Sequence, residues 1–268
     1  MIVGRTAPHP LLAGVVRHYQ SREAELGAVT RRIPLPARTD VLLEFYFTTP
    51  HRLEMPLTAS LDRAPWVAAV GPQTFRRVDL LLTGRLDSFT VHFAPTGLHA
   101  LLGVPMDGLT DAGIDASALF CTQAIADLHD ELAGASGLEA RARIADRFLL
   151  ARWMRRAPSA GTRLVAAALA HMRRWPGVDR TETLAARSGL SDRQFRRLFG
   201  EQVGIAPKRY ARILRFEAAV AARAAAPDRP WTDIAHDLGW FDQAHMDKDF
   251  RALAGAPPSL HRVPGAVP

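Results

Sequence analysis

Residues 184–215 read LAARSGLSDRQFRRLFGEQVGIAPKRYARILR, and residues 234–262 read IAHDLGWFDQAHMDKDFRALAGAPPSLHR. These two stretches repeat one pattern. Ala185, Gly189, Phe195, Phe199, Gly204 and Pro207 are spaced 4, 6, 4, 5 and 3 residues apart. Ala235, Gly239, Met246, Phe250, Gly255 and Pro258 follow with steps of 4, 7, 4, 5 and 3, so one inserted residue is the difference. Each series fits a helix-turn-helix: a small residue where two helices touch, a glycine at the turn, then an apolar pair on the second helix.

Local chemistry supports that reading. Asp179 and Glu182 form a capping box for a short helix bearing Leu184 and Ala185. Gly189 supplies the backbone freedom of a tight turn between crossing helices. Ser191 caps the second helix with Gln194 placed to answer it, and Phe195, Leu198 and Phe199 fall at helical spacing on the inner face. Arg193, Gln194, Arg196 and Arg197 are left outside. In the second unit Thr232 stands near the first helix start, Asp242 caps the second helix, and Met246 and Phe250 anchor it. Gln243, Ala244, Asp247, Lys248 and Arg251 lie outside.

On these residues the segment from about Arg163 to Arg262 resembles the DNA-binding domain of the AraC/XylS family of bacterial transcription regulators. Gly239, Trp240, Asp242, His245 and Met246 follow the family's G-F-x-D-x-x-H-F pattern, with Met246 in place of the usual Phe or Leu and His261 in place of an aromatic. The resemblance implies two helix-turn-helix units joined by one linker helix, here from Pro207 to about Arg223 with Tyr210, Ile213, Leu214, Ala218 and Ala221 on its inner face. It also implies two recognition helices about one DNA turn apart, roughly 34 Å.

Length and charge agree. A chain of 268 residues suggests two domains, and 48% hydrophobic content is enough for two cores. The net charge of +7 is uneven: residues 158–268 hold 17 Lys and Arg against 11 Asp and Glu, whereas residues 1–157 hold 17 against 16. The excess sits where phosphates would be met. Only Lys208 and Lys248 are lysine. Arginine suits bidentate contacts to phosphate and guanine, and genome composition explains the same bias equally well.

The first domain reads as strands up to Phe93: Val41–Phe47, Trp66–Val70, Val78–Thr83 and Ser88–Phe93, with turn signals between them. In Ser88–Phe93 the residues Phe89, Val91 and Phe93 alternate with Ser88, Thr90 and His92, as in a half-buried strand. Helices follow over Gly97–Leu102, Gln123–Ala133 and Leu138–Arg156. Leu138, Ile144, Phe148, Leu149 and Trp153 offer a helix face for a partner chain or for the first domain's own core. The expected fold class is therefore α+β with two domains: a small β-barrel-like domain with trailing helices over 1–157, and an all-α tandem helix-turn-helix domain over 158–268. Arg156 to Gly161 has the Pro, Ser and Gly of a linker.

Several residues invite sharper readings. His92 and His99 have no H-x-H pair or spaced carboxylate beside them, so a structural or pocket-lining role is expected rather than a metal site. Cys121 lies in an apolar run without a basic neighbour and is expected to be a buried thiol. Phe45, Phe47, Trp66, Phe75, Phe89 and Phe93 serve equally well as core or as the lining of an effector pocket. Arg215 is expected to be tied into an ion pair, with Glu217 or another acid. One cysteine excludes an internal disulfide framework. Gly4 and Arg5 precede any hydrophobic run, so no secretory signal is expected, and Ser88 to Met106 is too interrupted to span a membrane.

The expected function is a cytoplasmic, sequence-specific DNA-binding transcription regulator without enzymatic activity, cofactor or metal. Base readers would be Arg193, Arg196 and Arg197 in the first head and Gln243, Ala244, Asp247 and Lys248 in the second. Ser191, Gln194, Asp242, His245 and Arg251 would position the helices on phosphates. Expected partners are double-stranded DNA, a second copy paired through Leu138–Arg156, a small-molecule effector and RNA polymerase. The alternative, a catalytic first domain with autoregulatory DNA heads, finds no nucleophile–base pair, metal cluster or phosphate loop in the sequence.

Overall fold

The computed structural model describes residues 2–76, 78–156, 159–176 and 181–260. The chain is α+β with a sheet-rich first domain and a helical second one. Ten strands are described: β1 (Ile2–Thr6), β2 (Val16–Glu25), β3 (Arg31–Leu35), β4 (Val41–Tyr46), β5 (Arg52–Met55), β6 (Ser60–Arg63), β7 (Val67–Val70), β8 (Val78–Leu82), β9 (Arg85–Phe93) and β10 (Gly113–Asp115). They form two antiparallel sheets, one in the order β1-β2-β9-β4-β7-β10 and one in the order β3-β8-β5-β6. No ladder joins the two sheets among the described strands, so the expected barrel-like domain is two sheets and not a closed cylinder.

Alternation along the central strands decides what each face buries. Tyr19 on β2, Leu43 and Phe45 on β4, and Phe89, Val91 and Phe93 on β9 point to one side, with Phe45 paired to Phe89 across the sheet. That face is covered by α1 (Gly97–Leu102), α2 (Thr122–Gly134) and α3 (Leu138–Trp153). Buried Arg141 of α3 donates to both Asp87 oxygens at 2.8 and 3.2 Å and lies 4.1 Å over the Phe47 ring. Tyr19 donates to Asp146 of the same helix at 2.7 Å. The apolar face of α3 is thereby spent inside its own domain: Leu149 is buried there, and Leu138, Ile144, Phe148 and Trp153 pack around it. Of the two readings of that face, it is the first domain's own core that it packs against. Cys121, expected to be buried, is exposed, because it stands at the start of α2 rather than inside the helix layer.

The second domain has its own core. It comprises α4 (Ala160–Arg174), α5 (Thr181–Arg187), α6 (Asp192–Val203), α7 (Pro207–Ala225), α8 (Trp231–Asp237) and α9 (Gln243–Ala254). Val165, Leu169, Phe195, Phe199, Tyr210, Ile213, Phe216, Ile234, Met246 and Phe250 close that core. The expected junction at Ala157 and Pro158 lies outside the described residues, as do Asp179, His261 and Arg262. Ser159 caps α4 by accepting from the Thr162 N–H, so Ala160 and Gly161 are helix rather than linker. No helix among the described residues is long and apolar enough to cross a membrane.

The domains are joined by hydrogen bonds at both helix-turn-helix units. The Met106 N–H donates to Glu201 O at 2.8 Å and the Thr110 hydroxyl to Gly204 O at 2.7 Å, both at the carboxyl end of α6. The Ala37 N–H donates to Leu253 O at 2.7 Å, near the carboxyl end of α9. Between them, Thr39 gives Glu217 of α7 its backbone N–H at 2.6 Å. Gly204 takes a left-handed φ of 88°, and a Cβ there would stand 2.6 Å from Met106 O, so side-chain-free backbone is required for this contact.

Candidate nucleic-acid interface

The duplication in sequence is a duplication in space. The short helices α5 and α8 begin 50 residues apart and are 7 residues each; α6 and α9 begin 51 apart and are 12 each. The inserted residue therefore sits in the second turn. Leu190 N–H bonds Ala185 O at 3.1 Å, and its counterpart Trp240 N–H bonds Ala235 O at 2.9 Å. Turn glycines Gly189 and Gly239 share left-handed φ values of 66° and 75°. Equal bonds at equal places make these two copies of one unit.

Caps fix where each second helix begins. Ser191 and Gln194 form a complete capping box on α6, while Asp242 accepts from the His245 N–H at 2.7 Å on α9. Phe195 and Phe199, and Met246 and Phe250, are buried by the 3.6-residue period. The opposite faces are outside. Arg193, Gln194, Arg196 and Arg197 are exposed on α6; Gln243, Ala244, His245, Lys248 and Arg251 are exposed on α9, and Asp247 is half-buried. All expected contact residues thus lie on the outer sides of two capped helices.

Their electrostatics differ. Arg196 is held by Asp192 at 2.7 Å and Glu182 at 3.1 Å, and Arg197 by Glu201 at 3.3 Å. Arg251 pairs with Asp247 at 3.4 Å. Among the described residues the side chains of Arg193, Gln243 and Lys248 make no hydrogen bond or ion pair. Exposed pairs of this kind contribute little to stability and exchange readily for a phosphate or a base edge. Phe241, beside the Asp242 cap, is 93% exposed and forms no staple with Met246.

The linker helix α7 is continuous over 19 residues, about 28 Å at 1.5 Å per residue. Pro207 occupies its first turn, as expected. Tyr210, Ile213 and Leu214 are buried as expected, but Ala221 is exposed and Ala218 half-buried; Phe216 and Ala219 take the inner positions instead. Tyr210 packs on Phe199 of the first unit and Phe216 on Phe250 of the second, so the helix buries one side against each unit in turn. Arg215 is in an ion pair with Asp249, at 3.1 Å, and lies 4.5 Å over Trp240. Asp249 also takes Arg212 at 2.6 Å and the Trp240 indole N–H at 2.9 Å, so one buried carboxylate ties linker and second unit together. Nothing in a linear reading of the sequence singles it out.

The first domain holds a cavity of about 840 Å³ between its two sheets, and none of Phe45, Phe47, Trp66, Phe75, Phe89 or Phe93 lines it. Phe45, Phe89 and Phe93 belong to the core under the helices, and Trp66 is 54% exposed. The cavity is lined by the other face of the same strands, among them Gln20, Arg22, Glu44, Tyr46 and Ser88. His92 stacks on His18 with ring centroids 4.1 Å apart on that face, while His99 bonds Val104 O at 2.8 Å.

Residues 184–262 match the family model described as a helix-turn-helix domain. The carboxy-terminal domain is an AraC-type helix-turn-helix domain. Residues 4–115, ahead of this AraC-type domain, match a domain of unknown function, DUF6597. No curated protein matches the chain. Among solved structures, ToxT from Vibrio cholerae is 9% identical, with 90% of this chain and 96% of that chain covered at a TM-score of 0.49. ToxT bound to (E)-4-(8-methylnaphthalen-1-yl)but-3-enoic acid gives 9%, 90%, 97% and 0.49. The AraC-like transcriptional activator CuxR gives 13%, 81%, 86% and 0.30. Likeness at this level is too weak to carry a function from those chains to this one.

Proposed function

We propose that this protein is a sequence-specific DNA-binding transcription regulator controlled by a small molecule in its first domain. The observation that carries the reading is the pair of equally built, equally capped helix-turn-helix units on one continuous helix. Residues 158–268 would bind DNA and residues 1–157 would regulate. Arg193, Arg196 and Arg197 would read guanine O6/N7 from α6, Gln243 would read adenine N6/N7 from α9, and Ala244 would touch a thymine methyl, with Asp247 and Lys248 beside them. Ser191, Gln194, Asp242, His245 and Arg251 would set register on phosphates. The effector reading is supported by an inter-sheet cavity of ligand size whose wall includes Ala254, Ala256 and Leu260 from the second domain. Cytoplasmic work on DNA, a second copy and contact with RNA polymerase belong to the same proposal. Pairing through Leu138–Arg156 would use the outward side of α3, where Arg143, Arg147 and Ala151 are exposed.

Selection of bound sequences from a random DNA pool tests the reading. A single asymmetric site of about two helical turns, roughly 20 base pairs, is expected. Equal competition by unrelated DNA, or protection confined to one groove, would overturn it.

A further inference from the structure

Residues 36–40, between β3 and β4, form a strap from the first domain onto the second. Ala37 is buried in the second domain's core and bonds Leu253 O, and Thr39 bonds Glu217. Between these two anchors stands Arg38. Its backbone pairs with Gln73 in both directions, at 2.8 and 2.9 Å, and its side chain lines the inter-sheet cavity. The buried Nε of Arg38 has no hydrogen-bond partner among the described residues.

The cavity around it carries excess positive charge. Five arginines line it against two carboxylates. Arg76 is matched by Asp79, at 3.0 and 2.6 Å, and Arg32 by Glu54 at 2.7 Å. Arg22 lies 3.7 Å from Glu44. Of the two lining carboxylates, Asp111 is spent on Thr74, at 2.6 Å to both its N–H and its hydroxyl. Arg5 donates to the Gln20 side chain at 3.0 Å, and Arg38, whose charge acts on Asp40, has no ion pair within 4 Å among the described residues. The remaining wall mixes the polar Gln20, His51, Gln73 and Ser88 with the apolar Ile33, Leu53, Leu80 and Leu86 from both sheets. The Nε itself has no surface toward the cavity, so a planar carboxylate would meet the outer guanidinium nitrogens with charge-assisted hydrogen bonds.

We propose that the cavity takes an organic carboxylate with a compact apolar body, and that its carboxylate is received by Arg38. This rests on the effector reading above and adds the ligand class, the receiving residue and the route. Pairing at Arg38 stiffens the strap on both sides. The amide of Ala37 then holds the second helix-turn-helix unit more firmly, and that of Thr39 holds the linker helix.

The test uses the full chain and a set of alicyclic carboxylates of graded size, from cyclohexanecarboxylate upward, with their matched primary amides. Calorimetry is expected to show at least one carboxylate bound about tenfold or more tighter than its amide, the difference expected of a charge-assisted pair. Arg38→Gln should bring that carboxylate down to the level of its amide. Arg38→Lys should keep part of the preference, which shows that the site still folds. Hydrogen exchange at the Ala37 and Thr39 amides should slow with the carboxylate and not with the amide. Amides that bind as well as acids, or an Arg38→Gln protein that keeps the preference, would overturn the ligand class and leave the effector reading standing. If no member of either set binds, the ligand proposal falls, and the effector reading, which names no ligand class, is left standing.

Discussion

Glu217 accepts the backbone N–H of Thr39 at 2.6 Å and the Thr39 hydroxyl at 3.0 Å, so the helix joining the two helix-turn-helix units is bonded to the first domain. Burial pushes the Glu217 carboxyl above its usual range and the charge of Asp40 adds to the push, while the Thr39 bonds and Arg173 oppose it. A double-mutant cycle of Thr39→Val and Glu217→Gln, read by denaturant unfolding of the full chain, should give a coupling energy of about 0.5–2 kcal/mol. Strict additivity of the two single changes would show that this contact contributes nothing to holding the domains.

Two glycines with similar backbone separate strain from contact. Gly189→Ala meets no atom within 4 Å and bears only the cost of a left-handed alanine, about 1–2 kcal/mol. Gly204→Ala bears that cost and sets a Cβ 2.6 Å from Met106 O, so its loss should exceed that of Gly189→Ala by about 1 kcal/mol or more. Unfolding midpoints in urea compare them, and equal losses would mean the α6 end does not need its close approach.

On DNA, Arg197→Ala should cost about 1–3 kcal/mol and relax preference at one base position. Arg251→Ala should weaken all sequences alike and lower the salt slope by about one unit. A site library read at several salt concentrations distinguishes them. Uniform loss in both variants would move Arg197 from base reading to phosphate contact.

The buried imidazole of His92 gives a pH dependence of stated sign. Burial, helped by the charges of His18, Arg22 and Arg17, holds it neutral against the pull of Asp40, from an ordinary 6.5 down to about 3. The unfolded chain takes up this proton first. The contribution is therefore complete above pH 6.5 and is lost as pH falls toward 3, at no more than about 1.4 kcal/mol per pH unit. His92→Gln should flatten the decline in stability between about pH 7 and about pH 4. Glu217, raised by burial, acts in the opposite sense but is present in both proteins and cancels in the comparison. Parallel declines would mean that His92 takes up its proton without cost in the folded chain.

The helical half was legible because its signals are local: Ser191 three residues before Gln194, a glycine at each turn, and the spacing of Phe195 and Phe199. The strands Val41–Tyr46, Val67–Val70, Val78–Leu82 and Arg85–Phe93 were legible for the same reason, since each carries its apolar residues close together. Strands β2, β3, β5 and β6 were not, because Arg17, Arg22, Arg32, Arg52 and Glu54 break the apolar alternation. Those charged side chains find their partners only across the strands of one sheet, Arg22 with Glu44 in the six-stranded sheet and Arg32 with Glu54 in the four-stranded one. The packing of one sheet on the other hid the cavity. Ser88, Thr90 and His92 read as the polar side of a half-buried strand, yet all three are buried, with His92 stacked on His18.

The bonds from Met106 and Thr110 to α6 and from Ala37 to Leu253 grip both recognition helices at their rear ends. The first domain thus acts as the frame of a calliper whose two jaws are the helix-turn-helix units. One extra base pair between half-sites moves the second groove by about 3.4 Å and turns it by roughly 35°. A chain whose jaws were joined by α7 alone would meet that change by flexing one helix. This chain must also break hydrogen bonds in its frame. On the proposed reading the spacing of a bound site would be gauged by the sheet-rich domain, which would not need to touch the DNA to reject a wrong one.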